Sequence, residues 1–343
     1  MEYRPLGRSG CAVSTLALGT MTFGAETDEE GAQDQLDRYV EAGGTLIDTA
    51  DVYSVGRSEE VVGRWLSGSS AAVREQLVLA TKGRFPMGDG PNDAGLSRRH
   101  LAAALDASLR RLRVERVDLY QVHAFDPWTP LEETLSFLDA AVRAGKVHYV
   151  GLSNFTGWQL QRAVDVAEFR NLTRPVTVQP QYNLLVREIE WEIVPAAQAN
   201  GLGLLPWSPL GGGWLTGKYR RDLRPTGATR LGENPDRGVE AYDRRSVSAR
   251  TWAVVDEVGR IAEQRGVSKA QVALAWLVDR PAVTSLILGA RTTEQLEDNL
   301  GAADLHLSAE ETARLDSASD PAAADYPYGG PGEEQRSRRL EGG

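Results

Sequence analysis

The chain has 343 residues, 41% of them hydrophobic and 25% charged, which is the balance of a globular protein with one large core. Its 38 basic and 48 acidic side chains give a net charge of −10, which argues against binding to nucleic acid or to an anionic membrane. The single cysteine, Cys11, excludes an intrachain disulfide and favours a reducing, cytoplasmic setting. We expect neither a signal peptide nor a membrane span, because no apolar run approaches ~18–20 residues.

The predicted elements begin with a hairpin, in which residues 3–6 and 12–13 flank a turn at 7–10. Short apolar runs then alternate with amphipathic patterns. The apolar runs lie at residues 15–21, 44–50, 76–83, 117–123, 147–154, 176–183, 201–210 and 285–290. Helices are predicted at residues 28–42, 97–113, 130–144, 158–169 and 248–265. Strands that alternate with helices indicate a parallel sheet.

Eight such repeats favour closure into a barrel over an open sheet. The sequence therefore predicts an α/β fold, a single (β/α)8 TIM barrel over residues 1–319 that includes the N-terminal hairpin. A C-terminal helix or tail is expected to follow: residues 320–343 have no periodicity and are predicted to form a draped loop or a partly disordered segment. Residues 211–245 are a long Gly-, Pro- and Arg-rich loop, and a loop of this length is usually functional.

Four polar residues stand at or just beyond the ends of three consecutive runs, where a barrel places its active site. Asp48, Lys82 and His123 close their runs, and Tyr53 follows Asp48 by five residues. A lysine ammonium favours a phenolate and so lowers a tyrosine pKa from its usual value of about 10. The set therefore suggests a general acid aimed at a carbonyl oxygen, with the aspartate holding the lysine and the histidine binding the oxygen.

Each of these residues also has a structural interpretation. Asp48 is compatible with a helix N-cap and Lys82 with a solvated rim charge. His123 is compatible with a buried core histidine and Tyr53 with a rim aromatic. Only their joint placement favours the catalytic interpretation. No metal is expected, because the histidines at 100, 123, 148 and 306 lack ligand spacing.

Six motifs follow one another along these units and together carry a family resemblance: DTADVYS, ATKG, YQVH, VGLSN, WSPL and LGARTTEQLEDN. From about residue 6 to about residue 315 the chain resembles the aldo-keto reductase superfamily. It is most similar to the bacterial branch that also resembles voltage-gated potassium channel β subunits and NDP-hexose reductases. The resemblance implies NADPH-dependent carbonyl reduction on a barrel, with a catalytic tetrad of Asp48, Tyr53, Lys82 and His123 and with Tyr53 as the acid.

A Rossmann site is disfavoured, because GLGLL at 201–205 lacks the third glycine of the fingerprint. The resemblance implies instead that the cofactor lies across the barrel top. The resemblance implies that Ser153, Asn154 and Gln179 bind the carboxamide and that Trp207 stacks on the nicotinamide. Arg291, at a predicted helix start, suits a 2′-phosphate. The full predicted cofactor set is Gly19, Thr20, Met21, Asp48, Ser153, Asn154, Gln179, Trp207, Ser208, Pro209, Leu210, Gly212, Lys218, Arg230, Gly289, Arg291, Gln295, Asp298 and Asn299. Arg230 is equally compatible with a solvated loop arginine, and Trp207 with a core aromatic.

Three functions remain open from the sequence. The first is an NADPH-dependent reductase of aldehydes or ketones. The second is a reductase of a keto- or enoyl-sugar nucleotide in secondary metabolism, and the third is an NADPH-sensing regulatory subunit. The partner is expected to be a small carbonyl substrate, and the oligomeric state is not predicted. Candidate substrate-pocket residues, which are equally compatible with capping the barrel core, are Phe85, Met87, Trp128 and Trp214.

Overall fold

The computed structural model describes residues 1–227, 229–234, 240–323 and 325–336. A short antiparallel hairpin comes first, followed by an eight-stranded parallel sheet. The hairpin strands are β1 Tyr3–Pro5 and β2 Ala12–Ser14. The sheet strands are β3 Leu16–Gly19, β4 Leu46–Asp48, β5 Val78–Gly83, β6 Val117–Val122, β7 Val147–Ser153, β8 Thr177–Gln179, β9 Gly203–Leu204 and β10 Leu286–Leu288. Each sheet strand lies within one predicted apolar run.

The sheet closes on itself and forms the predicted barrel. The strand order is β10-β3-β4-β5-β6-β7-β8-β9, with every neighbouring pair parallel. Next to the last strand, Leu204 forms a parallel bridge with Val283, and its backbone N–H donates to the carbonyl of Ala282 at 2.8 Å. These bonds join β9 to the segment that leads into β10, so both sheet edges are paired.

Helices cover the outside of the barrel. They are α1 Glu29–Glu41, α2 Arg57–Gly68, α3 Ala71–Gln76, α4 Arg98–Leu112, α5 Leu131–Arg143, α6 Gly157–Phe169, α7 Ile193–Asn200, α8 Arg230–Glu233, α9 Tyr242–Ser246, α10 Ala249–Arg265, α11 Lys269–Val278, α12 Thr293–Leu300, α13 Ala309–Ser319 and α14 Gly330–Arg336. The five predicted helices are confirmed as α1, α4, α5, α6 and α10. Ser97 caps α4 by accepting from the backbone N–H of His100, and Gly266 ends α10 at φ 66°.

Strand parity divides the barrel interior into an apolar lower part and a polar top. Successive side chains of a strand point to opposite faces, so Val78 and Ala80 of β5 share a face with Lys82. Both apolar residues belong to the small cluster that fills the barrel, and Leu119 of β6 joins them two residues before Gln121. The same periodicity that packs the core therefore brings polar side chains together at the carboxyl ends of the strands.

Two segments differ from simple loops. The long loop contains a 3-10 helix at Gly211–Thr216 as well as α8 and α9, while residues 228 and 235–239 lie outside the described residues. In the tail, α14 is a short C-terminal helix, which the fold prediction allowed beside a draped or partly disordered segment. Tyr328 stacks on Trp191 at 5.1 Å between ring centroids and anchors the tail to the barrel. This tertiary contact leaves no periodic pattern in the sequence. Residues 337–343 lie outside the described residues.

Candidate active site

Lys82 is the centre of a buried hydrogen-bond network at the top of the barrel. Its side chain is fully buried, and its ammonium donates to Asp48 Oδ1 at 2.5 Å and to the Thr49 carbonyl at 2.8 Å. The third donor contacts the Tyr53 hydroxyl at 3.2 Å. An ammonium has three N–H groups, so all of them are used. The structure thus brings Asp48, Tyr53 and Lys82 together as the sequence predicted.

Tyr53 is held so that its own proton faces away from the lysine. Because its hydroxyl accepts from Lys82, its O–H can donate only in another direction, and Tyr53 lines the adjacent cleft. Burial raises the pKa of Tyr53, Lys82 lowers it, and Asp48 raises it again, with a net rise above the usual value. The lowering by lysine expected from the sequence is therefore present, but burial outweighs it.

His123 is the fourth predicted catalytic residue and lies beside Tyr53, with ring centroids 5.8 Å apart and nearly perpendicular planes. Burial lowers the pKa of His123 well below its usual value, and the positive charges of Lys82 and Arg84 lower it further. The imidazole is therefore neutral at pH 7. Its Nδ1 is buried without a hydrogen-bond partner among the described residues, which leaves Nε2 for a ligand in the cleft.

Asp48 is held by more than the lysine. Its Oδ2 accepts from Gln179 Nε2 at 2.9 Å and from Gln121 Nε2 at 3.1 Å. The sequence interpretation included Gln179 only through the family resemblance and missed Gln121. Strand parity was the available signal, since Gln121 stands two residues before His123 in the same run.

A cleft of about 560 Å³ leads from these residues across the barrel top to α11 and α12. Almost every predicted cofactor residue lines it. Those present are Gly19, Met21, Asp48, Ser153, Asn154, Gln179, Trp207, Ser208, Pro209, Leu210, Gly212, Lys218, Arg230, Gly289, Arg291, Gln295, Asp298 and Asn299. The exception is Thr20, a correction: its buried hydroxyl pairs with Ser58 at 2.7 Å behind the cleft wall.

The far end of the cleft is cationic. Lys218, Arg230, Lys269 and Arg291 all line it, and the sequence interpretation missed Lys269. Burial lowers the pKa of Lys218, and the neighbouring charges of Arg291 and Arg230 lower it further, as expected where like charges crowd. This end of an acidic protein therefore provides the local basic site that a phosphate-bearing ligand needs.

Arg291 is ion-paired in the structure. Its two Nη atoms donate to both carboxylate oxygens of Glu233 in α8, at 2.9 and 2.7 Å, and Glu26 lies 3.7 Å away. A guanidinium that binds one carboxylate in this two-pronged way has the geometry to bind a phosphate instead. A phosphate at this position has to replace Glu233.

Trp207 is tied to the catalytic end of the cleft. Its indole Nε1 donates to Asn154 Oδ1 at 3.0 Å, and Asn154 Nδ2 donates to the His123 carbonyl at 2.9 Å. The ring is therefore held at the cleft wall next to the histidine and is not packed into the core.

The four candidate substrate residues are placed differently from one another. Phe85 contacts His123 edge-on at 4.7 Å between ring centroids, while Met87 is half-buried outside the cleft lining. Trp128 is 92% exposed on the β6–α5 loop. Trp214 is a correction: it is buried, donates to the Glu240 carbonyl at 3.0 Å and stacks on Tyr242. It therefore packs the long loop and does not line the cleft.

Asp51 lies next to the catalytic candidates, and its buried carboxyl group should make the free energy of unfolding depend on pH. The residue is fully buried, and neither carboxyl oxygen makes a well-formed hydrogen bond among the described residues. Burial and the nearby Glu59 raise its pKa to about 7. Since the unfolded chain binds this proton only below about pH 4, wild-type stability should fall by up to about 1.4 kcal/mol per pH unit between pH 4 and 7.

Asp51→Asn removes this titration, so its stability advantage over wild type should grow with pH up to about 7 and then stay constant. Urea unfolding at pH 5, 6, 7 and 8 measures the difference. Asp89→Asn, in an exposed loop, is the control that should show no such trend. An advantage that is equal at all four pH values would contradict the assignment of the buried proton.

The described residues contain no group of three or more His, Cys, Asp or Glu side chains arranged to hold a metal ion. Within the same part of the chain, no helix has the length and apolarity to cross a membrane. The structure therefore defines a (β/α)8-barrel protein with a buried hydrogen-bond network of Asp48, Lys82 and Tyr53 at the carboxyl ends of its strands. A long cleft leads from this network to a far end that is lined by basic side chains.

Comparison with known proteins identifies the family. The Aldo/keto reductase family matches residues 15–320. The uncharacterized oxidoreductase YrpG of Bacillus subtilis (strain 168) is 39% identical over 90% of this chain and 93% of its own. A probable voltage-gated potassium channel subunit beta of Oryza sativa subsp. japonica is 38% identical, over 89% and 92%. The L-glyceraldehyde 3-phosphate reductase of Escherichia coli (strain K12) is 36% identical, over 92% of each chain.

The chain therefore belongs to the aldo/keto reductase family and is an oxidoreductase that acts on carbonyl groups.

Proposed function

We propose that this protein reduces an aldehyde or ketone to an alcohol, with NADPH as the hydride donor and Tyr53 as the general acid. The observation that carries the proposal is that the Lys82 ammonium has no N–H group left to donate. All three of its N–H groups are engaged, one of them by the Tyr53 hydroxyl, so the phenolic proton is left to donate into the cleft.

In this mechanism the substrate oxygen lies between the Tyr53 hydroxyl and His123. NADPH held by the cleft residues would supply the hydride for the carbonyl carbon. Tyr53 gives its proton to the oxygen as negative charge develops there, and the Lys82 ammonium stabilises the phenolate that remains. Asp48 keeps Lys82 charged: burial lowers the pKa of the lysine, but Asp48 and Tyr53 raise it to above its usual value. The neutral His123 donates a hydrogen bond without adding a charge.

The lining of the cleft fits an extended dinucleotide. Gln179, Ser153 and Asn154 lie beside the tetrad, at the end where the carboxamide would bind, and Trp207 offers its ring for stacking. Ser208, Leu210 and Gly212 line the cleft between this end and the cationic end, where the pyrophosphate would lie. The cationic end suits a 2′-phosphate, which is the chemical difference between NADPH and NADH.

Arg291→Ala is expected to raise the Kd of NADPH by about 10- to 100-fold, because a guanidinium that binds a phosphate contributes about 1.5–3 kcal/mol. The Kd of NADH should change little, since NADH has no 2′-phosphate. Fluorescence titration of the purified protein with both dinucleotides measures the two constants.

Glu233→Gln is the matched companion variant, because Glu233 competes for the same guanidinium. It should bind NADPH more tightly than wild type and NADH equally well. If wild type binds NADPH and NADH with equal affinity, the proposed 2′-phosphate site is wrong.

The sequence also predicted two other functions, and the rate of turnover of different substrates distinguishes them from this one. A regulatory subunit, as the potassium channel relative suggests, would bind NADPH but turn over slowly. A sugar-nucleotide reductase would ignore small aldehydes. The bonded Asp48, Lys82 and Tyr53 side chains support a reductase over a regulatory subunit, and the glyceraldehyde phosphate reductase relative supports a small carbonyl compound as the substrate. The cytoplasmic location and the absence of nucleic-acid partners stay predictions.

A substrate screen that follows NADPH absorbance decides among these functions. Short aldehydes, aldehyde phosphates, simple ketones and a keto-sugar nucleotide are tested with wild type, and Tyr53→Phe serves as the inactive control. We expect wild type to reduce at least one small carbonyl compound that Tyr53→Phe does not reduce. Turnover of the sugar nucleotide alone, or of nothing despite tight NADPH binding, would contradict the proposal.

A further inference from the structure

Gln121 occupies the interior of the barrel between the catalytic lysine and the residues at the nicotinamide end of the cleft. In the sheet it pairs with Lys82 on β5 and with Gly151 on β7. Its side chain is fully buried. Gly151 leaves the room for it, since a Cβ there would lie 3.0 Å from Gln121 Cγ and 2.4 Å from Thr177 Oγ1. The neighbouring strand is thus built to admit a long polar side chain.

The direction of the hydrogen bonds in this network is fixed by chemistry. An ionised carboxylate only accepts, so both glutamines must turn their NH₂ groups towards Asp48 Oδ2. With that orientation, Gln121 Oε1 faces Gln179 Nε2 at 3.3 Å and accepts from it. Gln121 therefore contacts both the carboxylate that holds the catalytic lysine and the glutamine that lines the cleft.

This orientation leaves one atom of Gln179 for a ligand. Its Nε2 is engaged by Asp48 and Gln121, whereas Oε1 has no hydrogen-bond partner among the described residues. A ligand next to Gln179 must therefore donate a hydrogen bond. The NH₂ of a nicotinamide carboxamide is such a donor.

We propose that Gln121 is a positioning residue: by holding Asp48 and Gln179 in one network, it fixes the carboxamide acceptor relative to the Lys82–Tyr53 acid. The inference rests on the proposed function for the identity of the dinucleotide. Without Gln121, Gln179 keeps one hydrogen bond to Asp48 but loses the acceptor that fixes its tilt. The carboxamide is then held less firmly, and the nicotinamide ring can rotate to present its other face.

Gln121→Met removes both hydrogen bonds at nearly constant volume. Its matched control is Gln35→Met in α1, because Gln35 is also fully buried and its amide has no hydrogen-bond partner among the described residues. A general effect of replacing a buried glutamine will appear in both variants, and loss of the network only in Gln121→Met.

The first readout is binding and does not require turnover. Wild type should bind NADPH at least about 10-fold more tightly than its 3-acetylpyridine analogue, which lacks the NH₂ donor. Gln35→Met should keep this preference, and Gln121→Met should lose most of it. The second readout is stereospecificity: with NADPH deuterated on one face of C4, wild type should transfer a single isotope, whereas Gln121→Met transfers a measurable mixture.

Gln121→Glu supplies an independent pH readout. A carboxyl at 121 can donate to Asp48 only while it is protonated, so kcat should fall as pH rises and this group ionises, and Gln121→Met should show no such fall. The groups around position 121 that also titrate or carry charge are Asp48 on β4, Lys82 on β5 and His123 beyond β6, with Tyr53 above them.

The outcomes separate the two proposals. If wild type prefers NADPH over the analogue and Gln121→Met shows the same preference and the same single-face transfer, the role of Gln121 is overturned while the proposed function stands. If wild type binds neither dinucleotide, the proposed function fails and the inference fails with it. If wild type binds and discriminates but reduces nothing, only the proposed reaction is wrong, because the binding readout still tests Gln121.

Discussion

Replacing Lys82 with methionine is expected to abolish carbonyl reduction and to lower the free energy of unfolding by about 3–5 kcal/mol. The reason is Asp48, which is buried and would lose the one ionic partner that it has among the described residues, at 2.5 Å. The two glutamine amides would remain, but they are dipoles and do not neutralise its charge. Urea unfolding at pH 7 measures the loss of stability.

A double variant distinguishes loss of charge balance from loss of packing. Asp48→Asn/Lys82→Met removes both charges and should recover most of the lost stability, while activity stays absent because Tyr53 has no ammonium beside it. Lys146→Met is the exposed control, since its ion pair with Asp106 is half-exposed on both sides and should contribute under about 1 kcal/mol. If the double variant is no more stable than Lys82→Met, the loss comes from packing and the electrostatic account is wrong.

The sequence predicted the barrel and the convergence of the tetrad for the same physical reason. A parallel strand exposes its carboxyl end at the barrel top, so residues that close apolar runs must meet there, whatever lies between them in the chain. That rule needs only the position of Lys82 and His123 in their runs. The rule predicts that these side chains lie close together. The hydrogen bonds of Lys82 to Asp48 and Tyr53 confirm this, and the His123 ring lies beside that of Tyr53.

Properties that depend on three-dimensional packing were out of reach. The lowering of the Tyr53 pKa by Lys82 was predicted, but burial outweighs it and leaves the pKa raised, and burial depends on residues distant in sequence. The sequence left Trp214 open between the substrate pocket and a place in the core, and the structure shows it buried against Tyr219, Tyr242 and Trp252. Gln121 was missed, because its partners Asp48 and Gln179 lie on other strands.

Tyr53→Phe is expected to lower kcat for carbonyl reduction by about 10²- to 10⁴-fold, the usual contribution of a general acid. The variant loses only the hydroxyl, so the ring still fills its buried place and still lies 5.8 Å from His123. The Kd of NADPH should stay within about twofold of wild type, because the hydroxyl faces the carbonyl position. Single-turnover kinetics with saturating NADPH measure the chemical step directly.

The pH profile of the wild-type enzyme identifies the acid. Since burial raises the pKa of Tyr53 above its usual value of about 10, the group is protonated throughout the neutral range, and kcat for reduction should stay level there and fall only in alkaline solution. Alcohol oxidation needs the phenolate and should rise with pH over that same alkaline range. His123 should add no inflection near pH 6.5, because its pKa lies well below that value.

Tyr3→Phe, an exposed control, should leave both profiles unchanged. A Tyr53→Phe variant that retains the wild-type rate and alkaline inflection would show that another group donates the proton.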